Sequence, residues 1–467
     1  MHQKATEAVQ LELFTTTQGA LHPAHDGRTV DERISRDELL SILSRQRTLT
    51  NNLLERIADY GNIIKASKRI VSNGGSSGVD GMETTELPQW LETNLSTLRT
   101  SLLEGSYQVS AVRRVEIPKP NGGKRMLGIP TVRDRLIQQA IHQELNRYYD
   151  PIFSTHSYGF RPGRSAHKAV LKASEYVKAG KEWVVDIDLE KFFDKINHNR
   201  LMQRLSKGIG DKKLLRLIRS YLTAGVMEGG LTTQRIAGTP QGGPLSPLLS
   251  NIVLDELDKE LESRGHDFCR YADDCNIYVG SRKAGERVMQ SVVAFIENKL
   301  KLKVNHKKSG VRHCSTVKFL GYTLLEGGRI RVSDQSFDRL KDTFRRITRR
   351  SRGVSFANII SDLNTTIRGW ANYYRLANSW LTQFREIDSW LRRKLRCYRL
   401  KQCGRRYTVY KFLRGLGIKE SSSWNVAKYS HGWWNMSKKE AVNRAMPNLW
   451  FSQQGLLSFC NIYEVTS

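Results

Sequence analysis

Phe268-Cys269-Arg270-Tyr271-Ala272-Asp273-Asp274-Cys275-Asn276-Ile277-Tyr278-Val279 is the stretch on which the fold turns. Apolar, strand-forming residues flank a short polar centre, so the segment reads as a hairpin interrupted by Ala272-Asp273-Asp274. Two adjacent carboxylates in a tight turn repel each other, and a cation between them relieves that cost. Taken alone, an Asp-Asp pair is most simply a polar turn. The upstream sequence changes that. Trp183-Val184-Val185-Asp186-Ile187 reads as a buried strand, and it runs directly into Asp188-Leu189-Glu190-Lys191-Phe192-Phe193-Asp194. A second set of acids therefore emerges from the end of an apolar strand.

Carboxylates converging from separate strands suit one chemistry in particular. Nucleotide transfer uses two magnesium ions about 3.5–4 Å apart, which bridge the attacking and leaving oxygens. Magnesium takes oxygen ligands, so carboxylates must supply them. The charge balance agrees with such a substrate. Lys and Arg number 75 against 46 Asp and Glu, a formal net charge of +29. An excess of that size repels itself and is relieved by a polyanionic partner. No run of about 18 apolar residues marks a membrane span, and Met1 to Leu13 lacks the apolar core of a secretory signal. The six cysteines contain no C-x-x-C pair. That pattern fits reduced thiols and a cytoplasmic location.

Outward from the acids, the pattern predicts an α+β fold. Residues 37–72 show helical spacing, ended by Asn73-Gly74-Gly75-Ser76-Ser77-Gly78. Val109 to Ile117 and Lys124 to Ile129 read as strands about the turn Pro118-Lys119-Pro120-Asn121-Gly122-Gly123. Helices are expected from Val132 to Tyr148, from Leu201 to Leu222 and from Pro244 to Leu261, and a strand from Val317 to Leu325. Beyond residue 330 the chain becomes basic and helical. Phe337, Leu340, Phe344 and Ile347 form one apolar stripe. Phe356, Ile359, Ile360, Leu363, Ile367 and Trp370 form a second, and Trp380, Phe384, Ile387, Leu391 and Leu395 a third. Three packed helices are expected there. The boundaries read as a largely helical N-terminal extension over 1–105, a mixed α+β region over 106–330, a helical region over 331–420 and a short tail over 421–467.

Several motifs together resemble those of reverse transcriptases encoded in group II introns. Tyr271-Ala272-Asp273-Asp274 is similar to the family's Y-x-D-D box, and Asp188 to Asp194 resembles its first catalytic motif. Gly238-Thr239-Pro240-Gln241-Gly242-Gly243-Pro244-Leu245-Ser246-Pro247 resembles its nucleotide-pocket loop. Phe319-Leu320-Gly321-Tyr322 resembles the junction of palm and thumb, and Ile367-Arg368-Gly369-Trp370-Ala371-Asn372-Tyr373-Tyr374 the maturase signature. The resemblance implies a right-hand polymerase, fingers and palm with an antiparallel palm sheet, followed by an α-helical thumb or maturase domain. It implies that Asp188 and Asp273 bind two Mg2+ ions, with the Leu189 carbonyl and Asp274 assisting. Lys119 and Arg125 match cations that hold the incoming triphosphate. Phe193 matches the sugar-selecting aromatic and Gln241 a sugar-pocket residue. The arginines of Tyr158-Gly159-Phe160-Arg161-Pro162-Gly163-Arg164-Ser165 are expected near template or nucleotide. The implied partners are group II intron RNA, an RNA template with a DNA primer, target DNA and deoxynucleoside triphosphates, with no membrane.

In the basic helical region Arg345, Arg346, Arg349, Arg350, Arg392 and Arg393 are expected to contact RNA, since cations interleaved with aromatics grip structured RNA and single strands. Absent paired cysteines, the zinc-dependent endonuclease of larger family members is not expected. Two rival readings remain. One is a retron, diversity-generating or defence-type reverse transcriptase, which the Ile367–Tyr374 run argues against. The other is a splicing cofactor whose main role is RNA binding, which intact Asp188, Asp273 and Asp274 argue against.

Overall fold

A computed structural model describes residues 52–118, 124–228, 231–233, 238, 242–378, 381–428 and 432–466. The chain divides into two compact units. The first comprises residues up to Ala169 together with Trp183–Val311, and the second comprises Val170–Glu182 with Arg312–Ser467.

The first unit opens with helices α1 (Leu53–Ile57), α2 (Tyr60–Asn73) and α3 (Leu87–Glu104). Asp59 starts α2 by accepting hydrogen bonds from the amides of Gly61 and Asn62, which would otherwise lack partners. A hairpin follows, β1 (Val112–Pro118) with β2 (Lys124–Ile129), in antiparallel register Ile117↔Arg125. Helix α4 (Val132–Tyr149), capped by the Thr131 hydroxyl, packs against α2, with Leu136, Ile137, Ala140 and Ile141 buried. Helix α5 (Ala166–Lys178) leads to strand β3 (Trp183–Ile187), the short helix α6 (Phe192–Lys195) and then α7 (His198–Gly208) and α8 (Lys212–Thr223). The single helix expected over Leu201–Leu222 is thus two. The break has a local cause: the Asp211 carboxylate accepts from the amides of Lys213 and Leu214, both at 3.0 Å, and so begins a new helix after Gly210.

Strands β4 (Val226–Glu228) and β5 (Leu231–Thr233) extend the first hairpin into a sheet of order β2-β1-β4-β5. Helix α9 (Ser246–Ser263) follows, then β6 (Asp267–Tyr271), β7 (Asp274–Val279), α10 (Arg282–Phe295) and β8 (Gly310–His313). The second sheet has the order β6-β7-β3-β8. Strand β7 pairs antiparallel with both β3 and β6, with Ile187 opposite Cys275 and Tyr271 opposite Asp274. Val184, Val185, Ile187, Phe268 and Ile277 are buried, and α9 and α10 pack on this sheet. The buried strand and hairpin of the sequence reading are therefore neighbours.

The second unit holds β9 (Tyr322–Leu324) and β10 (Ile330–Val332), an antiparallel pair. The expected strand over Val317–Leu325 shrinks to three residues because Leu320 and Gly321 take positive φ values of 51° and 86°. The helices are α11 (Asp334–Ile347), α12 (Phe356–Tyr373) and α13 (Leu381–Cys403), which carry the three expected stripes except Trp380, which lies outside the described residues, then α14 (Arg406–Gly415). The segment read as a tail is folded: α15 (Glu420–Ala427), α16 (Trp433–Met436), α17 (Glu440–Ala445), α18 (Asn448–Gln453) and α19 (Phe459–Thr466). Phe459 stacks on Phe384 at 5.5 Å and meets Trp370 edge-on at 5.2 Å, within the core that the three stripes build.

One buried carboxylate fixes this closure. Asp388 of α13 accepts from the Ser458 hydroxyl at 2.6 Å and from the amides of Phe459 and Cys460, each at 3.2 Å. It caps α19 from another helix. Asp388→Ala should leave those donors buried without partners and destabilise the helical unit by about 2–3 kcal/mol. Urea unfolding followed by tryptophan fluorescence reads the effect, and an unchanged midpoint would show that the cap contributes nothing.

Candidate functional site

The acidic hairpin turn consists of Ala272 and Asp273, since Tyr271 and Asp274 pair across it. Ala272 has φ 57°, a conformation that carries strain for a residue with a Cβ. A strained turn persists only where its surroundings hold it. Here the holder is Arg270, whose side chain is wholly buried. Its guanidinium meets Asp258 of α9 in a two-point pair, Nε to Oδ1 at 2.6 Å and Nη2 to Oδ2 at 2.5 Å. Nη1 donates to the Ala272 carbonyl at 2.9 Å and to Asn251 Oδ1 at 3.0 Å, and Nη2 also donates to Ser157 Oγ at 2.8 Å. Burial alone would lower the Arg270 pKa. The Asp258 carboxylate outweighs that effect, and the pKa is raised.

The motif Tyr158-Gly159-Phe160 completes the clamp. The Tyr158 amide donates to the Arg270 carbonyl at 2.8 Å, and Asn251 Nδ2 donates to the Gly159 carbonyl at 2.9 Å. A Cβ on Gly159 would collide with the Ala272 amide, so only glycine fits there. Arg161 is engaged within the fold. It is buried, paired with Asp150 at 2.7 Å, and donates to the carbonyls of Ser154, Ser157 and Asp150. These internal bonds hold the loop that carries Tyr158 and Gly159 beside the acidic turn. Arg164 is half-buried and bonded to the Thr155 carbonyl at 3.1 Å.

Asp188 leaves the second sheet one residue beyond the pair Ile187↔Cys275, at the end where Asp274 enters β7. A segment absent from the sequence reading straps it there. The Asn305 amide donates to the Asp188 carbonyl at 2.8 Å, and Leu189 bridges Val304. Asn305 Nδ2 reaches Oδ1 at 3.2 Å, Lys308 Nζ reaches Oδ2 at 3.2 Å, and the Asp188 amide donates to Ser309 Oγ at 2.9 Å. The Lys308 ammonium thus sits at one carboxylate oxygen, and the Asp188 side chain is 37% exposed. Carboxylate oxygens suit a hard ion such as Mg2+. Among the described residues, no three Asp, Glu, His or Cys side chains gather into a closed metal centre.

Phe193 lies on α6, partly buried, with its ring 5.3 Å from that of Phe192. The glycine-rich loop is pinned beside it. Gly238 has φ 87°, its amide donates to the Ile196 carbonyl at 2.9 Å, and a Cβ there would come 2.7 Å from the Phe193 carbonyl. At the other end of the loop, a Cβ on Gly242 would come 2.9 Å from the Gly128 carbonyl on β2. Gly238 thus lies against the Phe193 segment, and Gly242 against the strand that carries Arg125. Arg125 is described only as a backbone partner of Ile117. Lys119 and Gln241 lie outside the described residues.

In the helical unit Arg346 and Arg349 are exposed, and Arg392 is half-buried. Arg345 pairs with Asp342 within its own helix. Arg393 lies 3.8 Å over the Trp434 ring, while Arg350 approaches Cys397 Sγ at 3.9 Å.

Residues 117–324 match the reverse transcriptase (RNA-dependent DNA polymerase) family, and residues 337–414 match the group II intron, maturase-specific domain. Group II intron-encoded protein LtrA of Lactococcus lactis subsp. cremoris is 30% identical over 67% of this chain and 68% of its own length. The chain belongs to the group II intron-encoded reverse transcriptases. It is an RNA-directed DNA polymerase joined to a splicing maturase region, and its substrates are nucleic acids, intron RNA among them. Protein YkfC of Escherichia coli (strain K12) is 34% identical over 58% of this chain and 82% of its length. A putative COX1/OXI3 intron 2 protein of Saccharomyces cerevisiae is 28% identical over 60% of this chain and 39% of its length.

The clamp yields a prediction for this reverse transcriptase. Arg270→Lys keeps one charge beside Asp258 but cannot hold Ala272, Asn251 and Ser157 together. It should lower kcat for primer extension about 10- to 100-fold, as loss of an orienting partner does, with KM for nucleotide little changed. Equal kcat in a folded variant would show that the turn needs no such support.

Proposed function

We propose that the enzyme copies an RNA template from a DNA primer by two-magnesium nucleotidyl transfer at the sheet end that carries Asp188, Asp273 and Asp274. The observation that supports this most directly is the antiparallel register of β3 and β7, which sends Asp188 and Asp274 out of one sheet end beside the turn bearing Asp273. Asp188 and Asp273 hold the ions, assisted by the Leu189 carbonyl and by Asp274. Bound magnesium would supply charge neutralisation at the attacking and leaving oxygens. The primer 3′ oxygen attacks the α-phosphorus of a deoxynucleoside triphosphate, and pyrophosphate departs. Lys119 and Arg125 bind the triphosphate, where fixed cations offset the developing charge. Phe193 abuts the 2′ position and Gln241 lines the sugar pocket. Lys308 holds the Asp188 carboxylate in place before substrate arrives.

In this reading residues 106–330 form fingers and an antiparallel palm, residues 331–420 a thumb that also binds intron RNA, residues 1–105 an N-terminal extension and residues 421–467 a C-terminal segment. Arg345, Arg346, Arg349, Arg350, Arg392 and Arg393 face RNA. Target DNA is a further partner, and the work is done in the cytoplasm.

Primer extension on an RNA template tests the metal assignment. Asp273→Ala and Asp188→Ala should each abolish synthesis at millimolar magnesium in a chain that remains folded, and near-normal extension by either would end the assignment. The sugar pocket has its own test. Phe193→Ala should admit ribonucleotides, and unchanged discrimination would make Phe193 a core residue only.

A further inference from the structure

Away from the carboxylates, the helical unit concentrates positive charge around a cavity. Trp390, Arg393, Lys394 and Cys397 fall three to four residues apart along α13 and so share a face. The end of α11 and the turn after it bring Thr348 and Arg350, and α16 brings Trp434. Thr348, Arg350, Lys394, Cys397 and Trp434 line a cavity of about 250 Å³. That is well over the 10–15 Å³ or so that one water needs.

The cations are held by rings. Lys394 Nζ lies 5.5 Å from the Trp390 ring centre and 5.2 Å from that of Trp434, and Arg345 lies 5.6 Å from Trp390. A ring quadrupole orients a cation without neutralising it. No carboxylate does so either: among the described ion pairs, none includes Arg350, Arg393 or Lys394. The acid pairs described nearby, Arg345 with Asp342 and Arg352 with Asp362, engage other cations, lie partly in solvent and offset little. Burial depresses the Lys394 pKa, and repulsion from Arg345 and Arg350 depresses it further. A cavity ringed by uncompensated like charges is relieved by an anion. Phosphate oxygens match both the Arg350 fork and the Lys394 point charge. Arg346 on α11, Arg349 in the turn after it and Arg392 on α13 add further cations that are exposed or half-buried, which suits a polymer more than a single small anion.

We infer that this cavity binds a backbone phosphate of an RNA strand, with Arg350 and Lys394 as its ligands and Trp434 as its wall. The inference rests on the proposed RNA-binding role of the helical region and adds Lys394 and Trp434 to it.

The test uses the full chain and a 12-nucleotide single-stranded RNA, with affinity measured across a salt series. A DNA strand of the same sequence and inorganic phosphate serve as separate arms. Arg350→Ala with Lys394→Gln should weaken RNA binding about tenfold and flatten the salt dependence by about 0.7 per lost contact. Arg350→Lys should restore much of the slope. RNA should quench part of the tryptophan emission, and that part should vanish in Trp434→Phe. Parallel losses on the DNA strand support a phosphate ligand. Should the wild type bind RNA while the double variant keeps its affinity and slope, the cavity is not the site, although the wider RNA reading survives. Quenching of Trp434 by inorganic phosphate with no effect of the variants on RNA binding leaves an adventitious ion only and overturns the inference. A wild type that binds no RNA overturns both readings. Unfolding midpoints of each variant separate these outcomes from misfolding, and Lys394→Gln alone serves if the double variant does not fold.

Discussion

The buried pair of Arg270 and Asp258 is the constraint on which the acidic turn depends. A guanidinium and a carboxylate taken fully out of water are costly unless each finds its partner and the remaining donors are met. Both conditions hold here. The pair fixes two points, and the remaining guanidinium donors reach Ala272, Asn251 and Ser157. One arginine therefore ties α9, the loop before Gly159 and the strained hairpin turn into one body. Removing either charge would strand the other, a cost of about 3–5 kcal/mol. The arrangement is thus more exacting than it is stabilising. It gives up the cheaper choice of an apolar core and gains a turn that can hold only one shape.

The second acid strand is held by different means. Asp188 sits at the open end of β3, half in water, and its neighbours are an amide, a hydroxyl and an ammonium drawn from the 303–309 segment. The two halves of the proposed metal site thus rest on unlike supports. One is a dry, closed network. The other is a wet strap whose lysine can yield its place to an incoming cation. A site that must release product and accept a new nucleotide at each step is served by one rigid half and one that can be exchanged.

Much of this was readable from the chain because the signals are local. The apolar run Trp183–Ile187, the Tyr271–Asp274 turn and the three helical stripes each declare themselves within one element, and their described residues stand where the sequence pattern put them. The unread parts depend on contacts that no local pattern reports. Asp258 looks like an ordinary polar residue of α9 until Arg270 folds onto it. Asn305, Lys308 and Ser309 form a plain polar stretch, yet they meet a residue more than a hundred positions earlier. Arg161 stands in a basic, glycine-rich run that reads as a contact surface, and its role inside the fold rests on carbonyls that sequence does not mark. The segment after residue 420 has short, weak helical periods, because its helices are short and take their order from the core of α11 to α13.

The cap that Asp388 places on α19 also bears on how the protein is made. Asp388 and Ser458 are 70 residues apart. At a synthesis rate of about 5–20 residues per second, that separation is a delay of roughly 4–14 s. During the delay Phe384 and Trp370 have no Phe459 to cover them, and the Asp388 carboxylate has none of its three donors. The first unit ends at Val311, so all of its residues are made before those late ones emerge. The nascent helical unit, by contrast, carries an open aromatic face and a dense positive charge through the same seconds, when aggregation and premature capture of any passing RNA are its main hazards.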